Sequence, residues 1–532
     1  MDIVILTLLL VFSFTIRALP RKGFTYAFSG DTFFHLYMGN AIRKNNFKIP
    51  DRIPNVVLDH EYTYPYLYHL FLSVFSKEKS LKIEKITGAI FDTINALAIY
   101  IFVSWSVNYF QMIVPSYFSF LITLISAGPR AYSGSPRVIG QTLYIIHITT
   151  FFYYSVTGDF VGFFISILFG SLLFITAKFG VQVLVFFGVI FIFLYSPVYS
   201  IIILLSFIIS VFYTRGRSWK VLSGQIKHSE FYFLFMKSGK IFGFKSDLQD
   251  IKIYLARLLR NSKQLIRGRV FNFIEWVFSE RYFLHFSIIA FPQVIFLLIV
   301  YNKIYLPEIL LNFLLIWFAA SLIWFLLTSF GFLKFLGEGE RYIEYSVTAS
   351  FFLAGYYLVS NELYLWIVVY FIYSLFIYFL HVYLFRKRHS TQTDDYYLDE
   401  ELFEKLNSLP KGILLPFGNE WQTLYRSKHP LLTYGANIDV KRLSVKYFKH
   451  LFYNAHMPAD IMDEFINKFN LRYILTTTVN LDFYLNNVCK DDKFFKTVKV
   501  GKTVKKLPVI KTEDVAGKPE WFDQLVNKVI LE

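Results

Sequence analysis

The sequence predicts a polytopic α-helical membrane protein with about 11 to 13 transmembrane helices and a small C-terminal α/β soluble domain. Three observations support this fold class. Hydrophobic residues make up 55% of the 532 residues and charged residues only 17%, against about 25% in an ordinary soluble domain. Apolar runs recur through most of residues 1–389, each near the length that crosses about 30 Å of hydrocarbon. Residues 390–532 are polar and mix helical with strand-like patterns.

The net charge of +16 has an ordinary explanation in such a protein, because Lys and Arg gather at helix ends and meet anionic head groups. Residues 215–283 hold fourteen Lys and Arg against five Asp and Glu. Within this loop, residues 251–259 place apolar side chains at helical spacing opposite a basic face. We predict an amphipathic helix on an anionic membrane surface, with nucleic-acid binding as the less favoured alternative. The single cysteine, Cys489, excludes an internal disulfide.

The first apolar run, residues 3–16, is predicted to be a retained membrane helix. No basic segment precedes it, and no small-residue cleavage site follows it. Arg17, Arg21 and Lys22 come directly after the run and, taken alone, favour a cytoplasmic position for this end. The first external loop, residues 18–64, is predicted to follow.

Within this loop, Asp31 is predicted to start a helix. Its carboxylate would then lie near the positive end of the helix dipole. His35 lies one turn later on the same face. Pro50 and Pro54 then enforce an extended path. The apolar piece at residues 66–75 is too short to cross a bilayer and is predicted to be re-entrant or interfacial.

Further membrane spans are predicted wherever apolar runs have a suitable length. They cover residues 84–108, 110–127, 138–157, 160–177, 179–195, 197–214, 284–301, 306–330, 342–360 and 362–385. Pro197 either breaks one long helix or separates two short ones. Arg130 and Arg137 lie in a Gly-, Pro- and Ser-rich loop between two of the spans.

The polar C-terminal domain shows alternating helix and strand patterns. A helix is predicted near residues 398–408, a strand at 412–417, a helix near 458–469 and a strand at 472–479. This order is typical of a small α/β domain at the membrane surface.

Acids and arginines in loops at membrane depth are the remaining candidates for chemistry. The sequence has no Walker loop, dinucleotide fingerprint, paired cysteines or zinc-binding helix. A carboxylate in such a loop can act as general base on an acceptor hydroxyl or hold a divalent metal. Arginines there suit a phosphate because the guanidinium is a charged, planar fork of donors. Together these residue types indicate transfer of a group from a lipid phosphate.

Several motifs resemble those of the GT-C glycosyltransferases, which include oligosaccharyltransferase catalytic subunits and protein mannosyltransferases. Gly30-Asp31-Thr32-Phe33-Phe34-His35 matches the acidic residue that follows their first membrane helix. Tyr64-Pro65 looks like the Tyr-Pro-Pro segment before their next helix. Ser135-Pro136-Arg137 lies where they often carry a second polar motif, and Glu340-Arg341-Tyr342 resembles the arginine that opens a later helix.

The resemblance implies a GT-C-like fold and inverting transfer of a sugar from a polyprenyl-phosphate-linked donor to an acceptor hydroxyl or amide. By this likeness Asp31 is the catalytic base, and Arg137 and Arg341 hold the donor phosphate. The other candidate substrate-binding residues are His35, Glu340 and Arg130. A divalent cation, Mg²⁺ or Mn²⁺, is left open, with Asp31 and Asp59 as candidate ligands.

The sequence also departs from this family. It lacks a Trp-Trp-Asp motif in the C-terminal domain, where Trp421 stands alone, so protein N-glycosylation is not favoured. No second acid lies two residues from Asp31. A transporter or flippase of lipid-linked sugars and a non-catalytic membrane scaffold are the alternative functions.

Each candidate residue also has a structural interpretation. On residue type alone, Asp31 is explained by capping of a helix, and His35 and His69 are explained by interfacial packing. Arg130 and Arg137 are explained by anchoring at the membrane surface. Arg341 is explained by an ion pair with Glu338 or Glu344. A solvent-exposed loop position explains Asp51, Asp59 and Glu61.

The membrane topology contains a conflict. The mechanism requires Asp31, Arg137 and Arg341 on one side of the membrane. If residues 66–75 do not cross, this holds, but loop 215–283 lies on the catalytic side, against the tendency of basic loops to be cytoplasmic. If residues 66–75 cross, Arg137 changes sides. We follow the first layout, because long loops obey the charge rule poorly.

Overall fold

The described part of the chain is mostly helical. The computed structural model describes residues 3–22, 30–58, 61–126, 136–238, 291–329, 331–337, 339–396, 400–416, 420–437 and 464–475 except 466, with short pieces at 256, 259–263, 265–270, 273, 439, 447 and 509–511.

Ten helices precede residue 239 in these ranges. They are α1 Ile3–Ala18, α2 Gly30–Lys44, α3 Leu67–Ser73, α4 Lys77–Tyr109, α5 Phe118–Ser126, α6 Pro136–Thr157, α7 Phe160–Leu173, α8 Lys178–Leu194, α9 Val198–Tyr213 and α10 Arg217–Ser238.

The described residues after position 290 form α11 Phe291–Val300, α12 Glu308–Ser329, α13 Glu340–Ile343, α14 Val347–Ser360 and α15 Tyr364–Tyr396, followed by α16 Glu400–Ser408, β1 Ile413–Pro416, α17 Glu420–Arg426, β2 Leu471–Leu475 and β3 Val509–Lys511. The three strands form one sheet in the order β1-β2-β3. The first pair is parallel and the second antiparallel, and the described part of this region therefore contains both helices and strands.

Three helical stretches in the described residues are long and apolar enough to cross a bilayer: Ile3–Arg21, Lys77–Tyr109 and Glu308–Thr328. Helix α9 and the first part of α10 qualify together, but they are bent by 115° at a short break. Four further apolar helices are shorter, and they lie in α7, α8, α14 and the first half of α15. The predicted total of 11 to 13 crossings therefore stays a prediction.

Most predicted helix positions agree with the structure to within a few residues, and Pro197 separates two helices, α8 and α9. Three boundaries differ by more than a few residues: the starts of α4 and α5, and the end of α15, which lies at Tyr396 and not at residue 385. Helix α4 begins at Lys77, before the predicted span at 84–108, because Ser76 caps it by accepting a hydrogen bond from the backbone N–H of Lys79. Helix α5 begins at Phe118, after the predicted start at residue 110, because Pro115 and a short turn precede it.

The composition boundary at 389/390 lies inside α15, which continues to Tyr396. The predicted amphipathic helix at residues 251–259 lies almost wholly outside the described residues. Of the predicted helix near 458–469, only the last residues are described, and they are helical.

Aromatic side chains pack the core between α6, α8, α12 and α14. The rings of Phe152 and Phe313 stack with centroids 4.2 Å apart, and those of Phe186 and Trp324 with centroids 4.1 Å apart. The Trp317 indole N–H donates to the backbone carbonyl of Tyr345 at 3.0 Å. Such pairs add to the free energy of burial, so many of the aromatic residues here have a packing role.

Helices α1 and α4 are joined by two buried ion pairs. Arg21 donates through both terminal nitrogens to the Glu84 carboxylate, with Nη1 3.1 Å from Oε1, and Arg17 pairs with Asp92. All four side chains are less than 10% exposed. The two arginines that favoured a cytoplasmic end for α1 are therefore neutralised locally, which removes most of that argument.

The loop after α2 is hydrogen-bonded to the C-terminal domain. The backbone N–H of Val57 donates to Leu431 at 2.9 Å, and the N–H of Leu431 donates to Asn55 at 2.7 Å. The N–H of Leu432 in turn donates to Leu414 in β1 at 2.8 Å. The loop thus pairs with the segment that extends the sheet edge, which fixes it against a folded domain.

Helix α2 also packs on α17. The rings of Phe34 and Trp421 lie 4.6 Å apart, and those of Phe33 and Tyr425 lie 5.9 Å apart. Trp421 does not belong to a Trp-Trp-Asp motif. Its ring instead packs against α2, the helix that carries Asp31.

Candidate active site

Asp31 is the exposed residue at the start of a buried helix. It lies in the first turn of α2, whereas Thr32 through Gly39 are all buried. The first turn favours a negative charge because of the helix dipole, so the capping interpretation and the catalytic one use the same position. The burial of the following turns holds the carboxylate at a defined point on the surface.

The charges of Asp31 and Arg341 both act on the phenol of Tyr64. Burial raises the pKa of Tyr64, the negative charge of Asp31 raises this pKa further, and the positive charge of Arg341 lowers it. A carboxylate and a guanidinium from distant parts of the chain therefore act on one hydroxyl group. Both predicted site residues therefore lie within electrostatic range of the same phenol, and their roles stay a prediction.

The guanidinium of Arg341 is seated on an aromatic ring. Its Cζ lies 4.4 Å from the centroid of Phe179, the second residue of α8. Gly337 approaches the same ring with φ of 135°, and a Cβ at this position would overlap Phe179. The Gln182 side chain donates to the carbonyl of Leu336 at 2.7 Å, which ties this turn to α8.

Lys178 adds a second cation beside Arg341. It is the first residue of α8, and its charge and that of Arg341 act on each other. Its Nζ lies 5.5 Å from the ring centroid of Tyr232 in α10, and it also acts on His228. The sequence alone does not distinguish Lys178, because a lysine directly before an apolar run usually marks only a membrane interface.

Arg137 is held by Glu344. Its Nε donates to Oε2 at 2.9 Å while its Nη2 donates to Oε1, and Gln141 donates to the same carboxylate. The charges of Arg137, Glu344 and Arg341 all act on Tyr345, so the two predicted phosphate-binding arginines share one region. Glu344, considered from the sequence as a partner of Arg341, is the partner of Arg137.

His35 belongs to a buried polar chain inside the loop. Its Nδ1 lies 2.7 Å from Nε2 of His69, and Nδ1 of His69 is hydrogen-bonded to the Tyr62 hydroxyl. Burial lowers the pKa of His35 to about 3, and burial together with His35 lowers the pKa of His69 well below its ordinary value. Both rings are therefore neutral at pH 7 and available as hydrogen-bonding groups.

Asp51 and Arg217 are paired beside this chain. The Arg217 guanidinium lies over the ring of Tyr62 with Cζ 5.8 Å from its centroid, and Nη1 lies 3.4 Å from Asp51. Asp51 remains 79% exposed, in agreement with a solvated loop position.

The remaining predicted site residues lie at the edge of what is described. Arg130 and Asp59 are outside the described residues, as is the side chain of Glu340. Among the residues that are described, no three His, Cys, Asp or Glu side chains gather as a metal site. A divalent cation at Asp31 and Asp59 therefore stays a prediction.

No protein-family model matches this chain, and no curated protein matches it. Among solved structures, it is similar to the archaeal oligosaccharyltransferase AglB from Archaeoglobus fulgidus, solved in complex with an inhibitory peptide and a dolichol-phosphate. The likeness covers 88% of this chain and 68% of that chain, with a TM-score of 0.53 and 12% sequence identity. At this identity the comparison shows the fold alone: the chain has a GT-C-like fold.

Proposed function

We propose that this protein is a multi-pass membrane glycosyltransferase of the GT-C type, located in the cell membrane. It transfers a sugar from a polyprenyl-phosphate-linked donor to an acceptor hydroxyl or amide, with inversion. The observation that carries this proposal is that a carboxylate, Asp31, and a guanidinium, Arg341, both act electrostatically on the phenol of Tyr64, on a GT-C-like fold.

In this reaction Asp31 acts as the general base. Its carboxylate takes the proton of the acceptor O–H or N–H, and the acceptor atom forms a new bond to the anomeric carbon. The bond between that carbon and the donor phosphate oxygen breaks on the opposite face. The electron pair leaves with the polyprenyl phosphate, which gains a negative charge.

Arg341 and Lys178 stabilise this leaving group. The two positive charges act on each other, and a phosphate bound near both would offset their repulsion. The guanidinium of Arg137 is hydrogen-bonded to Glu344. It adds a further positive charge near the leaving phosphate. The dolichol-phosphate in the AglB structure supports a polyprenyl phosphate as the donor class here.

The test is transfer by full-length protein in membranes, supplied with radiolabelled synthetic polyprenyl-phosphate sugars. Release of polyprenyl phosphate gives a readout that needs no identified acceptor. Asp31→Asn should lower the rate by about 100-fold or more, since a general base contributes roughly that much. Glu78→Gln is the matched control, because Glu78 is likewise an exposed acid in the first turn of a helix.

A fully active Asp31→Asn variant would reject the proposal. Equal loss in both variants would assign Asp31 to helix capping. Movement of the labelled lipid across a vesicle bilayer, without any glycosidic bond formed or broken, would instead assign transport.

A further inference from the structure

A polar cavity lies between the first external loop, α10 and the C-terminal domain. Its volume is about 180 Å³, and it is lined by Glu61, Thr63, Trp219, Lys220, Ser223, Gly224, Lys227, Asn437 and Asp439. No residue assigned to the proposed transfer reaction is among them. The cavity is smaller than the roughly 300–1,000 Å³ of sites for drug-sized ligands and suits one small ring.

One face of α10 forms a wall of the cavity. Lys220, Ser223, Gly224 and Lys227 follow the helical spacing of three and four residues. Gly224 allows this face to lie directly against Thr63, since a Cβ at position 224 would overlap the threonine side chain. The sequence therefore builds a close junction between this helix and the loop.

The opposite wall is fixed by polar contacts. Nζ of Lys227 lies 2.8 Å from Oδ2 of Asp439, and the Asn437 side chain donates to the carbonyl of Thr63 at 3.0 Å. These contacts connect all three structural parts, so the cavity depends on the assembled fold.

The charges that line the cavity are balanced, because it holds two lysines, Lys220 and Lys227, and two acids, Glu61 and Asp439. Lys227 is paired with Asp439, and Nζ of Lys220 lies 3.9 Å from Asp51, outside the cavity lining. An anion site would be expected to keep cations whose charge is not compensated in this way. The lining is thus suited to a neutral ligand with many hydrogen-bonding groups.

Trp219 supplies an apolar surface in this polar setting. It is 57% exposed, although an indole has a large area to bury. A sugar ring has C–H groups on its faces and hydroxyls at its rim. A flat indole can pack against the C–H face, while the amide, carboxylate, hydroxyl and ammonium groups of the lining can hydrogen-bond the hydroxyls. We infer that this cavity binds one sugar ring, with Trp219 as the stacking surface.

The cavity is close to the candidate active site along the chain. Thr63 lines the cavity, and the next residue, Tyr64, is the phenol on which Asp31 and Arg341 act. If the proposed function holds, the cavity is a subsite for a neighbouring sugar of the donor or acceptor glycan. The binding site itself does not depend on that function.

Saturation-transfer NMR on the full chain in lipid nanodiscs tests this inference. The probes are the methyl glycosides of glucose, galactose, mannose and N-acetylglucosamine. At least one should receive saturation from the wild type, and Trp219→Ala should reduce that signal at least fivefold. Trp366→Ala is the control, because Trp366 is similarly exposed (61%) but lies in α15.

Absence of saturation transfer to all four glycosides overturns the inference, as does an equal signal in Trp219→Ala. Selective binding of short peptides with no glycoside signal would assign the cavity to a peptide and also overturn it. The experiment separates the two proposals, since Asp31→Asn should keep glycoside binding while losing transfer. Binding with an active Asp31→Asn variant would reject the function alone, and transfer without binding would reject the subsite alone.

Discussion

Arg137 at the start of α6 and Glu344 after α13 form a two-pronged ion pair, with Arg137 Nε 2.9 Å from Glu344 Oε2. The carboxylate is 1% exposed and the guanidinium 17% exposed. This pair joins two segments that the sequence separates widely, and both segments carry predicted donor-binding residues.

Glu344→Gln should lower the free energy of unfolding by about 3 kcal/mol, because it leaves a largely buried guanidinium without its counter-charge. Chemical unfolding in detergent, followed by tryptophan fluorescence, measures the change. Glu308→Gln, an exposed acid in the first turn of α12, should change stability little. Equal stability of the two variants would contradict the role of the pair.

Arg341→Ala should lower kcat/KM for the lipid-linked donor by roughly 100-fold, since it removes a cation beside the leaving phosphate. Arg341→Lys should recover part of this loss, because lysine keeps the charge but not the planar fork. Steady-state transfer rates at varied donor concentration give the measurement. Arg260→Ala, which changes an exposed arginine in the basic loop, is the control. Similar losses in both alanine variants would point to general membrane electrostatics.

The buried histidines predict a pH dependence of stability. The pKa of His35 is about 3 in the folded protein against 6.5 ordinarily. Between these values the unfolded chain binds a proton that the folded chain does not, so stability is greatest above pH 6.5 and falls as the pH drops towards 3. The expected slope is about 1.4 kcal/mol per pH unit for this one histidine.

His35→Asn should make that slope shallower between pH 6.5 and pH 5. Unfolding curves at several pH values, recorded for both proteins in the same detergent, provide the comparison. His69→Asn should have a similar effect, because the pKa of His69 is also lowered by burial. An unchanged slope in both variants would mean that the rings are protonated without cost.

The ion pairs between α1 and α4 predict a different pattern. Glu84→Gln alone should lower the free energy of unfolding by about 3–5 kcal/mol, since Arg21 stays buried without a partner. The double change Arg21→Met with Glu84→Leu should be much less damaging, because both charges are removed together. Additive losses in a double-mutant cycle would show that the two side chains act independently.

Helix periodicity and turn chemistry predicted much of this fold. Asp31 was placed at the start of a helix, and α2 begins one residue earlier, at Gly30. Residues 66–75 were predicted as a short helical piece, and α3 covers Leu67–Ser73. These features depend on local patterns of apolar and breaking residues, which a single sequence displays directly.

Contacts across the chain could not be predicted in the same way. Lys178 looks like an ordinary flanking residue until the turn containing Arg341 is brought against it. From the sequence, Arg17 and Arg21 favoured a cytoplasmic position for the end of α1. In the structure they pair with buried acids of α4, a helix that lies much later in the chain. Such partners depend on tertiary packing, and charge patterns alone do not specify it.

The hydrogen bonds between residues 55–58 and residues 431–433 affect when the site is completed. Chains are made from the N-terminus, and early segments begin to fold before later ones exist. The loop at residues 55–58 is made hundreds of residues before its partner segment. Nascent chains that do not yet reach residue 431 therefore lack the contact that positions the loop, and the candidate site is completed only after this segment has left the ribosome.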